Sequence, residues 1–135
     1  GFNLLTKWPR ADYVVVDQNE LRLECHDQHG DIERLARQQA ERMCTTMFAV
    51  TLGHEGCLVI NGGKAIRAPA VADNVIDRMG AGDAFLAITA PLVWAGAPAA
   101  VVAQMGNIAG AIKVGKIGNQ AVTRAEMDTW LKNHG

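Results

Sequence analysis

The 135-residue chain has no surplus of charge of either sign: thirteen Lys and Arg stand against fourteen Asp and Glu, for a net charge of −1. The basic footprint that holds a nucleic-acid backbone is therefore missing. Also missing is any apolar run of the roughly 20 residues that a membrane span needs. No charged n-region leads into an apolar h-region and cleavage site, so a secretory signal is not expected. Cys25, Cys44 and Cys57 are odd in number and widely spaced, and no CxxC pair occurs. That excludes a disulfide framework and fits a reducing, cytoplasmic compartment. There is no initiator Met. The opening "GFNLLTKWP" reads as the start of a piece cut from something longer. What is present is ordinary for a globular chain, with 49% hydrophobic and 20% charged residues. The length suits one domain, which can bury about two-thirds of its extended-chain surface. In "CHDQH" (Cys25 to His29) the Cys and two His are three potential metal ligands without a further one at a sensible spacing, so it reads as a solvated loop.

Strands and helices alternate along the chain. "DYVVV" (Asp12 to Val16) is a β-branched run and predicts a strand. Asp17 followed three residues later by Glu20 has capping-box spacing, so a helix should begin there. Gly30 breaks the chain and Asp31 can cap "IERLARQQAERMC". Ile32, Leu35, Ala36, Gln39 and Met43 share one face of that helix. "MFAVTL" (Met47 to Leu52) predicts a buried strand. "GHEG" predicts a turn, "CLVING" (Cys57 to Gly62) the second arm of a hairpin, and "KAIRAP" a third strand. From Ala81 a helix is expected with Ala81, Phe85, Ile88 and Leu92 on one face. Gly96 and Pro98 end it and start the next. There Val101, Met105, Ile108 and Ile112 would form the core stripe. Ala103, Gly106, Asn107 and Gly110 would form a small-residue side that something can approach closely. Thr123 and Glu126 mark the start of a last helix, "TRAEMDTWLKNHG". The class is α/β, with helices packed on a sheet.

One segment carries chemistry: "NVIDRMGAGDAFLAITA", Asn74 to Ala90. Gly80 and Gly82 allow backbone that other residues resist and let it approach a ligand. The amides of residues 80 to 83 would be the unpaired first-turn donors of a helix, a site for a phosphate-like anion. Asp83 would repel that anion. As a base it could take the proton of an attacking hydroxyl while the amides hold a transferred phosphoryl group. The plainer alternative is that an Asp in a first turn simply favours the helix dipole. Two other nucleotide motifs are excluded. Phe85 stands where a dinucleotide fingerprint needs Gly or Ala, and no GxxxxGK[ST] occurs.

The string "VIDRMGAGDAFLA" resembles the signature of the ribokinase/PfkB family of sugar kinases, matching it at Asp77, Gly80, Ala81, Gly82, Asp83, Ala84 and Phe85. "VTLGHEGCLVI", "GNIAGAIKVGKIGNQ" and "DYVVVDQNELRL" resemble further segments of that family in its order. The resemblance implies a ribokinase-like three-layer sandwich, of which residues 1–135 would be the C-terminal nucleotide-binding part. The sugar-binding half and lid would lie before Gly1. It implies Asp83 as catalytic base and Gly80, Ala81 and Gly82 as anion hole. Thr51, Gly53 and Gly56 would line the nucleotide phosphates and ribose, and Asn107 the adenine region. Glu20 would position Mg²⁺ through water. Asp77 and carbonyls near Gly118 would border a loop for a monovalent cation such as K⁺. The implied activity is ATP-dependent phosphorylation of a sugar or sugar phosphate, with a heptose favoured and a fused nucleotidyltransferase domain as a partner. No nucleic-acid or membrane partner is implied. The isolated segment is expected to be inactive and to self-associate. Arg78 and Met79 depart from the family's small hydroxyl residues, and Asp17 from its usual Asn. These departures keep a second reading open, a non-catalytic nucleotide-binding or regulatory module of the same fold.

Overall fold

A computed structural model describes residues 5–71, 79–118 and 120–135. The β-branched run forms strand β1 (Tyr13–Asp17). Helix α1 (Gln18–Glu24) starts at once from the predicted capping box. Asp17 Oδ1 accepts the amides of Asn19 and Glu20 at 2.7 and 2.9 Å, and Glu20 Oε2 accepts the Asp17 amide at 3.1 Å. Asp31 caps α2 (Ile32–Arg42) through the Arg34 amide at 2.9 Å. Its predicted face, Ile32, Leu35, Ala36, Gln39 and Met43, is buried throughout. Strands β2 (Met47–Thr51), β3 (Cys57–Asn61) and β4 (Lys64–Ala68) follow. Then come α3 (Ala81–Trp94), α4 (Ala99–Val114) and α5 (Arg124–His134), the last capped by the expected box of Thr123 and Glu126.

The sheet runs β1-β2-β3-β4, with β1 parallel to β2 and the remaining pairs antiparallel. Side chains alternate across it, as the period of two demands. Val14, Val16, Phe48, Val50, Leu58 and Ile60 pack with α1 and α2. Met47, Ala49, Cys57 and Val59 pack with α3 and α4. The result is three layers, helices on both faces of one sheet. The central strands read as unbroken apolar runs because both their faces are covered.

Register sets the direction of the second helical layer. Thr51 at the end of β2 and Ala68 at the end of β4 both pair with Cys57 at the start of β3. From α4, Asn107 Nδ2 donates to the carbonyls of Ala68 at 3.0 Å and Pro69 at 2.8 Å, so that part of α4 lies at the same end of the sheet. Thr89 of α3 lies at the opposite end. Its hydroxyl donates to Phe85 O at 2.6 Å and accepts from the Tyr13 hydroxyl at 2.7 Å, and Tyr13 begins β1. Helix α3 thus starts toward the carboxyl end of β1 and runs back along it, and α4 returns antiparallel to it over β3 and β4.

Two predicted faces are corrected. In α3 the buried positions are Ala84, Phe85 and Thr89, while Ala81, Ile88 and Leu92 are only partly covered. In α4 the buried side is the small-residue side, Ala99, Val102, Ala103, Gly106 and Ala109 together with Ile108, and Val101 is 40% exposed. Steric room explains both. The sheet and α3 press on α4 together, and small side chains let the two helices approach.

Candidate active site

The carboxyl ends of parallel strands are where open α/β sheets bind ligands. Asp17 and Thr51 end β1 and β2 and pair with each other. Thr51 Oγ1 reaches Val16 O at 3.5 Å. Between β2 and β3 the chain turns through Gly53 and Gly56, both at positive φ (62° and 96°). Gly56 is wedged so closely against the end of β4 that a Cβ would meet Ala68 O and Ala70 N. Gly56, the 68–70 segment and Asn107 are therefore joined in one continuous patch. The structure brings Asn107 of α4 together with Thr51, Gly53 and Gly56, which belong to a different segment of the sequence. Asn107 spends its amide nitrogen on fastening β4 to α4. Gly106, expected to leave its helix face open, is closed off: the Phe85 ring fills the space where its Cβ would be. Gly110 has open space. Cys57 is buried beside this patch, and burial pushes its thiol up to about 11, which keeps it from acting as a nucleophile.

The glycine turn stands at the same end. Gly80 has φ 78°, left-handed backbone that suits glycine, and is the N-cap of α3. Among the described residues no side chain caps this helix. Ala84 N–H is already bonded to Gly80 O at 3.0 Å, so the first-turn amides ahead of it, in Ala81, Gly82 and Asp83, point out of the helix start. Gly82 has open space around its Cα and ordinary φ, and Asp83 is exposed. Asp77 lies outside the described residues.

One residue of this end escaped the sequence reading. Lys113, in the last turn of α4, is only 4% exposed. Its ammonium donates to Gly118 O at 2.7 Å and Gln120 O at 2.9 Å. A Cβ on Gly80 would lie 2.8 Å from its Cε. The available signal was a single charge inside the apolar helix "NIAGAIKVG", a few residues before the Gly118 turn.

Glu20 is exposed, with one carboxylate oxygen committed to its capping box. No group of three or more His, Cys, Asp or Glu that could hold a metal occurs among the described residues. That includes the "CHDQH" loop, where Asp27 instead accepts from the His29 and Gly30 amides and from Arg34. No described helix is long and apolar enough to cross a membrane.

Helices on both sides of a mixed sheet, and a glycine-opened helix at the carboxyl ends of its parallel strands, define a ribokinase-like fold. Ribokinase from Thermotoga maritima superimposes with a TM-score of 0.78 at 25% identity, over 90% of this chain and 42% of that one. The phosphofructokinase-2 of Escherichia coli, solved in complex with potassium, gives 0.80 at 16% identity, over 89% and 40%. The pfkB family carbohydrate kinase pattern matches residues 3–126, and the chain belongs to that family. Among its relatives, the bifunctional protein HldE of Halorhodospira halophila is 35% identical over 102 residues. The match covers 75% of this chain and 21% of HldE, so the chain spans about a fifth of that relative's length.

Proposed function

We propose that this chain is the nucleotide-binding and catalytic-base part of a kinase that transfers the γ-phosphoryl group of ATP to a hydroxyl of a sugar or sugar phosphate. The observation that carries this reading is the start of α3: left-handed Gly80, open Gly82, amides that no described side chain caps and exposed Asp83, all at the carboxyl end of the sheet. The amides of residues 81 to 83 hold the transferred phosphoryl group, with the helix dipole adding to their pull. Asp83 accepts the proton of the attacking hydroxyl. Thr51, Gly53 and Gly56 line the nucleotide, and Asn107 keeps the end of β4 in place beside it. The likeness to HldE favours a heptose phosphate as acceptor and a nucleotidyltransferase as a companion domain. Because the chain spans about two-fifths of the solved kinases, the same reading places the sugar-binding part and lid outside residues 1–135.

The residues fit Mg²⁺ in a limited sense. Mg²⁺ keeps several waters and takes one or two carboxylates besides the nucleotide phosphates. Glu20 supplies one such carboxylate, and the ion would neutralise phosphate charge there. A free monovalent cation fits poorly, because the Gly118 carbonyl expected to border it already accepts from the Lys113 ammonium.

The test is sugar-dependent ATP consumption, over heptose phosphates, hexoses and pentoses, in a polypeptide that joins this segment to a sugar-binding half. Asp83→Asn should lower kcat by about 10² or more with folding unchanged. Near-normal turnover in that variant would refute the assignment. The 135 residues alone should bind nucleotide and phosphorylate nothing, since orienting the acceptor supplies up to about 7–11 kcal/mol of such a barrier.

A further inference from the structure

The α4–α5 connection gathers its backbone oxygens around two ammonium groups. Lys113 takes Gly118 O and Gln120 O, and Lys116 takes Ala121 O at 2.9 Å while pairing with Glu126. The Lys113 side chain enters from the last turn of α4 and is almost wholly shielded from water. A charge in such a place is stable only if it is well paired, and its two bonds are short enough to be charge-assisted. Backbone carbonyls are also what a potassium ion takes in place of its hydration shell. The ammonium therefore occupies oxygens that a free cation would use, and its own charge repels a second cation placed beside it. Its stem lies under Gly80. A Cβ there would stand 2.8 Å from Lys113 Cε and 3.7 Å from its Nζ, so the positive charge sits directly behind the amide end of α3.

We propose that Lys113 is the resident cation of this site. It holds the carbonyls of Gly118 and Gln120 against the start of α3, adds a fixed positive charge behind the anion-binding amides, and replaces a free monovalent ion. Its effect on phosphate rests on the kinase reading above, whereas its replacement of a free cation does not. Lys113 is a positioning residue, because it acts through Gly80 and the amides that follow. Wild-type protein is thus independent of K⁺, and removing the ammonium creates a dependence on K⁺.

The experiment uses the 135-residue chain. Thermal unfolding is followed in KCl, NaCl and choline chloride at equal ionic strength, and inorganic phosphate is titrated by calorimetry in each salt. Wild type should melt at one midpoint in all three. Lys113→Met should melt lower and bind phosphate about tenfold more weakly in choline. K⁺ should restore both losses in part by entering the vacated carbonyls. A residue needed only for packing would give a loss that no salt repairs selectively. A K⁺-specific rise in the wild-type midpoint would overturn the proposal, because a free-cation site would then exist beside Lys113. So would a Met variant with unchanged phosphate affinity and no response to K⁺. If the Met variant does not fold, the wild-type salt series decides alone. Failure of wild type to bind phosphate would count against the kinase reading and leave the salt series to decide this one.

Discussion

Gly106 and Gly110 lie one helical turn apart on α4, and the same substitution should have opposite effects at the two. Replacing glycine by alanine inside a helix stabilises by up to about 1 kcal/mol, since glycine loses the most backbone freedom on folding. At Gly110 nothing stands within 4 Å of the new Cβ, so Gly110→Ala should show that gain, roughly 0.5–1 kcal/mol. At Gly106 the new Cβ falls 2.2, 2.3 and 2.6 Å from three carbons of the Phe85 ring. Phe85 is 2% exposed, so the ring has nowhere to swing. Overpacking of this kind costs about 1–3 kcal/mol, which offsets or exceeds the propensity gain. The helix term cancels between the two variants. Their difference isolates the Phe85 overlap at about 1–3 kcal/mol, and each kcal/mol moves the melting temperature of a chain this size by about 3–5 °C. Urea and thermal unfolding of both variants measure it. Phe85→Leu should lessen the Gly106→Ala penalty in a double-mutant cycle, because the two residues touch. Equal shifts in the two single variants would refute the packing argument, and with it the claim that Gly106 serves helix approach rather than a ligand.

The start of α3 gives a second contrast. Gly80→Ala should destabilise by about 1–2 kcal/mol because its φ is left-handed and its Cβ meets Lys113, while Gly82→Ala should fold normally and lose phosphate affinity; calorimetric titration and melting separate the two. Burial raises Cys57 from its usual 9 to about 11 and Tyr13 from 10 to about 12, the Thr89 hydrogen bond opposing the latter in part. Both groups favour the protonated folded state. The stability they contribute is therefore intact below pH 9 and is lost on rising through 11 for Cys57 and between 10 and 12 for Tyr13. Urea unfolding should show stability falling over that range, by no more than about 3 kcal/mol for Cys57, and Cys57→Ala should remove the earlier part of the fall. A flat profile to pH 12 would contradict the burial.

Local physics made much of the molecule legible. The three capping residues Asp17, Asp31 and Thr123 act within four residues of themselves, so spacing alone located three helix starts. The strands over 13–17, 47–51, 57–61 and 64–68 were legible from β-branched runs and the glycine turns between them. The glycine turn and the aspartate after it were legible because a turn that opens a helix is itself a local feature. Less legible were the faces of α3 and α4. A helix this apolar on every side carries little angular signal, and burial then depends on which neighbour is closest. Val101 reads as core yet stands 40% exposed, and Thr89, outside the predicted α3 face, is fully buried, because Tyr13, far away in sequence, brings its hydroxyl a partner.

Taken alone, the sequence determined the α/β class, the order of the elements, three of the helix caps and the position of the glycine turn that opens α3, all properties of neighbours along the chain. Only the tertiary structure decided that Thr51, Gly56 and Asn107 share one patch, that Phe85 fills the space over Gly106, and that Lys113 stands under Gly80 with its ammonium on the carbonyls of Gly118 and Gln120. Each of these joins residues from different elements. A buried charge on α4 is stable only because the fold brings backbone oxygens to it, and no spacing within α4 predicts where those oxygens will be.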